Sequence, residues 1–368
     1  MKLDLMYEIQ APRPWPGEHP DGQREAEQRT YREALEQINL ADRTGGWNGI
    51  WLVEHHFREG RSHCPAPEVV LGALSQTTER LELGFGVTLT PHGFTHPSRI
   101  AEKVATVDLL SEGRVQWGIG RSTPMERASF GVPEETSRQS MAHACKTVAD
   151  MWVQEYYEAD NEFMKFPKRM VTPLPYQRPH PPAWMACTSE ESFERAGNYG
   201  LGVLGLTTRY KLPEIKRFID QYREAIKTPE PLTHVVNNQA AVYTLVHCAE
   251  TAQKVEDNET WDSVWWWYQH LAEFTLEWEF PHMSDEEKSR MFPLLEARAR
   301  GEFKPRDFND DGMIIVGDPD TCLEKMEAVA ATGCDRLLCL VQFGRMPHEA
   351  IMESIELVGS KLAPKLSS

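Results

Sequence analysis

The stretch Gly49-Ile50-Trp51-Leu52-Val53-Glu54-His55-His56-Phe57 decides how the rest of the chain is interpreted. Its first five residues form an apolar run typical of a short buried strand, and a carboxylate and two imidazoles follow directly. In barrels and open sheets of parallel strands, ligands bind at the carboxyl ends of the strands. A lone histidine there more often caps a helix or packs in the core. Glu54, His55 and His56 together favour a functional site.

Strand-like and helix-like stretches alternate on both sides of this run. The eight predicted strands are residues 2–8, 49–53, 81–89, 114–119, 183–186, 201–206, 239–246 and 335–342. The predicted helices are residues 25–44, 67–79, 97–111, 134–156, 190–199, 211–227, a segment from about 250, 319–332 and 347–362. Eight strands, each mostly followed by a helix, fit a (β/α)8 TIM barrel better than a doubly wound sheet. We expect a single domain over residues 1–368, with insertions near 158–182 and 275–312.

The composition is that of a globular enzyme, with 40% hydrophobic and 26% charged residues. A formal net charge of −17 without a basic block argues against a nucleic-acid partner or an anionic membrane surface. The N-terminus lacks a charged leader with an apolar stretch, and no segment approaches the ~20 apolar residues of a membrane span. Seven scattered cysteines favour reduced thiols and a cytoplasmic location.

Other motifs narrow the chemistry. Neither GxGxxG nor GxxxxGK[ST] occurs, so no nicotinamide fingerprint is present. A metal site is not expected, because strand geometry opposes convergence of the adjacent Glu54, His55 and His56 side chains. Aromatic residues recur at helical spacing over residues 261–278. This pattern favours a core-facing or dimer-facing helix, and the alternative is an aromatic wall around an apolar substrate beneath a lid at 275–312.

Four stretches, the first of them within the run quoted above, give the chain a family resemblance. They are Trp51–Phe57, Gly84–Pro91, Leu109–Arg114 leading to Gly118–Arg121, and Tyr157–Glu162. In this order and at these intervals the sequence resembles the bacterial luciferase-like flavin monooxygenases, least clearly over 210–310. The resemblance implies a homodimer that binds reduced FMN supplied by a separate flavin reductase. The implied reaction adds dioxygen to the flavin and transfers oxygen from a flavin (hydro)peroxide to a small, apolar organic substrate.

The resemblance also assigns residues to the FMN phosphate. Arg121 and Arg138 can form charge-assisted bonds to a phosphate, and Thr188, Ser189 and Ser192 lie at the start of a predicted helix, where anions bind. From the residues alone, ordinary ion pairs and helix capping explain these side chains equally well.

At the other end of the flavin, the resemblance places His55 in the chemistry beside the isoalloxazine ring and Glu54 near the ring, while His56 supports the site. A neutral imidazole can hydrogen-bond an oxygen adduct and shuttle a proton at neutral pH. Gly86 and Val87 match a place where relatives bend the chain against the flavin, and our hypothesis is a cis peptide bond between them.

Two other functions stay open at this point. One is a deazaflavin-dependent dehydrogenase on the same barrel, which would move hydride without oxygen and differs in cofactor preference. The other is a flavin-binding protein without turnover, and the intact Glu54-His55-His56 argues against it.

Overall fold

A computed structural model describes residues 1–310 and 312–366. The strands in this part of the chain are β1 (Lys2–Tyr7), β2 (Gly49–Leu52), β3 (Glu82–Leu89), β4 (Val115–Gly120), β5 (Tyr157–Asp160), β6 (Lys165–Arg169), β7 (Ala183–Ala186), β8 (Gly202–Leu206), β9 (Ala240–Cys248), β10 (Ile315–Gly317) and β11 (Arg336–Leu340). The predicted insertion 275–312 and the predicted domain 1–368 include Asp311, Ser367 and Ser368, which lie outside the described residues.

Helices follow most of these strands. They are α1 (Asp21–Thr44), α2 (Pro67–Ser75), α3 (Pro97–Leu110), α4 (Pro124–Phe130), α5 (Ser137–Val153), α6 (Glu190–Asn198), α7 (Leu212–Ala225), α8 (Ala252–Asp257), α9 (Thr260–Phe274), α10 (Asp285–Met291), α11 (Pro293–Ala299), α12 (Asp307–Asp310), α13 (Pro319–Ala330), α14 (His348–Leu357) and α15 (Ala363–Leu366). Short π-helical segments, Thr275–Glu279 and Val358–Leu362, continue α9 and α14. None of the helices in the described ranges is long and apolar enough to cross a membrane.

Eight of the strands close into a parallel barrel. The hydrogen-bonded order is β1-β2-β3-β4-β7-β8-β9-β11, and β11 pairs with β1 to close the ring. Strand residues such as Leu3 and Leu5 are buried in one core with helix residues such as Ile38 and Leu71. Each such side chain contributes roughly 1.5–3 kcal/mol by burial. The predicted (β/α)8 barrel is confirmed.

The amino-terminal end of the barrel is plugged. Inside the barrel, Trp51 and Trp184 pack edge to face with ring centroids 5.3 Å apart. Below them, Arg336 donates to Asp4 at 3.1 Å and to Glu82 at 2.5 Å. Trp51 Nε1 also donates to Asp4 Oδ2 at 2.9 Å. Because these side chains fill this end of the described barrel, a ligand has space at the carboxyl ends of the strands.

The differences from the predicted elements are local. The predicted helix 134–156 is α5, and a separate short helix, α4, precedes it. The predicted insertion near 158–182 carries the antiparallel hairpin β5–β6 in its first half. The three-residue strand β10, which pairs with β9 outside the barrel, was too short to give a pattern.

Candidate active site

Three cavities lie side by side at the carboxyl ends of the barrel strands. The inner cavity, between Gly86 and Tyr243, has a volume of about 310 Å³. The middle cavity, between Arg121 and Thr275, has about 860 Å³, and the outer cavity, between Phe57 and Trp278, has about 960 Å³. His55 lines all three.

The inner cavity brings together all nine residues that the sequence assigned to the site. They are Glu54, His55, Gly86, Val87, Arg121, Arg138, Thr188, Ser189 and Ser192. These residues come from loops and strand ends that span more than a third of the chain, and only closure of the barrel makes them neighbours.

Glu54 is buried and fixed in place. Its Oε2 accepts a hydrogen bond from the backbone N–H of Leu89 at 3.1 Å, and Lys103 Nζ lies 3.9 Å from the same oxygen. The His56 ring lies 3.5 Å from Glu54 Oε1 and packs edge to face on Phe130, which suits the supporting role expected of it. The backbone donor and the nearby cation fix the orientation of this buried carboxylate.

His55 is held by a carboxylate that the sequence analysis missed. Its Nδ1 lies 3.0 Å from Glu126 Oε1, and the backbone N–H of His56 donates to the same oxygen at 2.6 Å. Because a carboxylate only accepts hydrogen bonds, the bonded Nδ1 carries a proton, and neutral His55 keeps its free lone pair on Nε2. Within the described residues, Nε2 has no hydrogen-bond partner, so it is available to a ligand.

Glu126 is completely buried on the first turn of α4. Burial raises the pKa of Glu126, but three neighbours lower it by more: the imidazole of His55, the guanidinium of Arg58 and the hydroxyl of Ser122. The pKa therefore lies well below its usual range. Glu126 is therefore an anion near neutral pH. The signal that could have identified it is the capping-box pattern Thr123-x-x-Glu126 directly after β4.

Cations and hydroxyls also line the inner cavity. Arg121 Nη1 donates to Ser137 Oγ at 3.1 Å and to Glu134 at 2.8 Å, and the more exposed Arg138 lies 3.9 Å from Glu191. Ser189 is the N-cap of α6, and its backbone N–H donates to Ser192 Oγ at 3.0 Å. Thr188 and Arg195 complete this group, and Arg195 was not identified from the sequence.

The Gly86–Val87 peptide bond at the wall of the inner cavity is cis, as hypothesised. Apolar side chains line the same cavity, and they include Val53, Leu89, Met185, Leu204, Leu206 and Leu338.

The aromatic segment 261–278 has one side in the core, as its pattern favoured, and another side at a cavity. Trp267, Tyr268 and Leu271 are buried in the core on α9. Phe274 and the exposed Trp278 line the outer cavity.

A polar cluster in the wall of the inner cavity was not predicted. Glu8 follows β1, and Arg61 follows the His55 loop; both are buried, and Arg61 Nη2 donates to Glu8 Oε1 at 3.2 Å. Tyr243 of β9 lines the same cavity. No group of histidine, cysteine, aspartate or glutamate side chains placed to hold a metal ion occurs in residues 1–310 and 312–366.

The model of the luciferase-like monooxygenase family matches residues 16–336, and the chain therefore belongs to this family. A curated relative is the oxygenase component of the flavin-dependent trigonelline monooxygenase of Acinetobacter baylyi, which is 25% identical over 355 residues that cover 93% of this chain and 92% of the relative.

Solved structures share the fold over almost the whole chain. The oxygenating constituent of 3,6-diketocamphane monooxygenase from the CAM plasmid of Pseudomonas putida, a type II Baeyer–Villiger monooxygenase in complex with FMN, has a TM-score of 0.74 at 19% identity, with 99% of this chain and 98% of that chain covered. An F420-dependent secondary alcohol dehydrogenase in complex with an F420–acetone adduct has a TM-score of 0.67 at 13% identity, with 96% and 97% covered.

Proposed function

We propose that this protein is the oxygenase component of a two-component monooxygenase. It would use reduced FMN, delivered by a separate flavin reductase, and dioxygen to oxygenate a small organic substrate with a largely apolar body. The observation that carries the proposal is the convergence of the nine site residues in one cavity, with His55 fixed by the Glu126 anion where three cavities meet. The curated relative named as an oxygenase component supports the two-component arrangement.

The chemistry of the donor set fits FMN. A phosphate monoester needs positive charge and several donors, and Arg121, Arg138, Thr188, Ser189 and Ser192 would hold it at the start of α6. The flat ring system needs apolar walls, which the strand ends supply around the cis peptide. Bound reduced FMN would supply the electrons that activate dioxygen.

The chain's own residues have three tasks in this proposal. His55 would hold or accept a proton at Nε2, and Glu126 keeps the ring oriented by accepting the bond from Nδ1. Glu54, anchored by Leu89 N–H, would position the ring system. The apolar strand ends would exclude water from the reacting atoms.

The test compares purified protein with two histidine variants, His55→Ala and His282→Ala. His282 is exposed on the segment after α9 and touches none of the three cavities, so it is the matched control. Protein is loaded anaerobically with reduced FMN, binding is measured by equilibrium dialysis, and the loaded protein is mixed with aerated buffer while absorbance is recorded.

We expect wild type and His282→Ala to delay the return of oxidised FMN relative to free reduced FMN. His55→Ala should bind reduced FMN normally but speed this return by about 10²- to 10⁴-fold, the usual contribution of a positioned acid–base group. An unchanged delay in His55→Ala would refute the role of His55. If wild type fails to bind reduced FMN but binds a reduced deazaflavin, the dehydrogenase alternative replaces the proposal.

We also propose that residues 1–368 form a single barrel domain with two insertions, and that the protein is a cytoplasmic homodimer. Five large exposed apolar side chains between the end of α5 and β7 support a protein interface; they are Val153, Tyr156, Met170, Leu174 and Tyr176. The seven cysteines are free and buried, which agrees with a reducing compartment.

A further inference from the structure

Arg61 is a buried arginine in which one nitrogen donor, Nη1, has no hydrogen-bond partner among the described residues. Its Nε lies 3.3 Å from Glu8 Oε2 and its Nη2 lies 3.2 Å from Glu8 Oε1, so one edge of the guanidinium is fully paired. The guanidinium plane lies over the Trp267 ring, 5.0 Å from the centroid. Only 5% of the residue is exposed, and Nη1 has no hydrogen-bond partner among residues 1–310 and 312–366.

An unpaired donor of this kind points to a ligand. Buried polar nitrogens in folded proteins are almost always hydrogen-bonded, and the exceptions need an explanation. Arg61 lines both the inner and the middle cavity, so its guanidinium borders the space that a ligand would occupy. The planar guanidinium fits a carboxylate in particular.

A second cation borders the same space. Arg209, three residues beyond β8, lines the middle cavity, and within the described part of the chain it forms no ion pair. Tyr243 lines this cavity together with both arginines. Burial raises the pKa of the Tyr243 phenol, and the nearby charges of Arg61 and Arg209 oppose that rise. The positive charge of Arg209, the free edge of the Glu8-paired Arg61 and the hydroxyl of Tyr243 therefore border one region.

The other arginines of the middle cavity already have counter-ions. Arg58 donates to Glu279 of the π-helical segment, and Arg121 and Arg127 share Glu134. Arg121 also belongs to the group proposed for the FMN phosphate. The positive charge of Arg209 and the free edge of Arg61 remain after these pairs and the phosphate have been assigned.

We propose that the substrate carries a carboxylate, which Arg61 and Arg209 bind with the hydroxyl of Tyr243 at the junction of the inner and middle cavities. This inference rests on the proposed monooxygenase function, since it places the anionic end of the substrate in the space that His55 also lines. The apolar body of the substrate would then extend along the strand ends or towards the outer cavity, and the carboxylate would fix which carbon faces the flavin site.

The test measures binding and needs no turnover. The protein is first saturated with FMN, so that the residues proposed to bind its phosphate are occupied. It is then titrated calorimetrically with matched pairs of acid and amide: benzoate and benzamide, 2-naphthoate and 2-naphthamide, cyclohexanecarboxylate and its amide. The variants are Arg61→Met, which keeps most of the side-chain volume, and Arg209→Gln. Arg99→Gln, an exposed arginine of α3 paired with Glu102, is the matched control.

We expect at least one acid to bind wild type and Arg99→Gln at least tenfold more tightly than its amide. Arg61→Met should abolish this preference, and Arg209→Gln should reduce it severalfold. If Arg61→Met fails to fold because Glu8 loses its partner, Arg209→Gln alone decides. The proposal is wrong if no acid is preferred over its amide, or if the preference survives in every folded variant. A failure to bind FMN, in contrast, counts against the proposed function and is seen before any acid is added.

Discussion

Replacing Glu126 by glutamine tests whether the buried carboxylate acts through His55. The substitution keeps the size of the side chain but removes its charge and one of its two acceptor oxygens. The bond from His55 Nδ1 to Glu126 Oε1 is 3.0 Å long and fully buried on the carboxylate side. Hydrogen bonds to buried charged groups contribute about 1.5–3 kcal/mol. Since about 1.4 kcal/mol is a factor of ten in rate, the full loss corresponds to about 10- to 150-fold.

The assay is the return of oxidised FMN after the loaded protein meets aerated buffer. We expect Glu126→Gln to speed this return by about 10- to 150-fold, because the His55 ring loses its fixed orientation. The binding of reduced FMN should be unchanged. Glu287→Gln is the matched control. Glu287 occupies the same position in the capping box of α10, where Ser284 Oγ donates to it at 2.7 Å, but it is exposed and remote from His55.

Stability must be measured in parallel, because Glu126 also caps α4. Its Oε2 accepts from Ser122 Oγ at 2.5 Å and from the Thr123 backbone N–H at 3.3 Å, and an amide nitrogen cannot replace this acceptor. We expect a loss of about 1–3 kcal/mol in the free energy of unfolding. If Glu126→Gln is destabilised but keeps the wild-type delay, the carboxylate serves only the helix and the positioning argument fails.

Two further predictions concern stability. Burial lowers the pKa of His247 to about 4. The neutral, buried imidazole therefore contributes its full share to folding stability above the pKa of about 6.5 that it has in the unfolded chain, and this share is lost as the pH falls towards 4. Between about pH 7.5 and pH 5 the free energy of unfolding should drop by about 2 kcal/mol more in wild type than in His247→Gln, measured by urea denaturation; equal drops would contradict this. A Cβ at Gly84 would lie 2.3 Å from the Trp51 ring, so Gly84→Ala should cost about 1–3 kcal/mol or more, whereas Gly72→Ala in α2, with nothing within 4 Å, should be neutral or stabilising by up to about 1 kcal/mol. Equal melting temperatures for these two variants would refute the packing argument.

The fold could be predicted because its signal is local. Every barrel strand carries its own apolar run, and the helices between them carry their own spacing, so the alternation alone indicates a (β/α)8 barrel. The same holds for Glu54 and His55, which follow their strand directly. The residues proposed for the phosphate are different, because ordinary capping explains Ser189 and Ser192 equally well, and only the family resemblance selected them.

The residues that were missed have partners far away in the sequence. Arg61 meets Glu8 across 53 positions, and Tyr243 reaches the same cavity from β9. No periodicity in a single sequence encodes such a pair. Glu126 lies between these extremes: its capping box is local, but its bond to His55 crosses 71 positions and exists only because β2 and β4 flank β3 in the closed barrel.

A buried arginine lies at each end of the barrel, and the two differ in whether all of their buried nitrogens have hydrogen-bond partners. At the plugged end, Arg336 donates to Asp4, Glu82 and Gln239 beneath the Trp184 ring, and it leaves no buried nitrogen without a partner among the described residues. At the open end, Arg61 likewise pairs with a carboxylate, Glu8, and lies over a tryptophan ring, Trp267, but its Nη1 has no partner among the described residues. Loose packing does not explain the difference, because Arg61 is held on one edge and one face. The missing partner is therefore best supplied by the ligand, since every other element of the pair is already in place before the ligand arrives, which lowers the entropic cost of binding it.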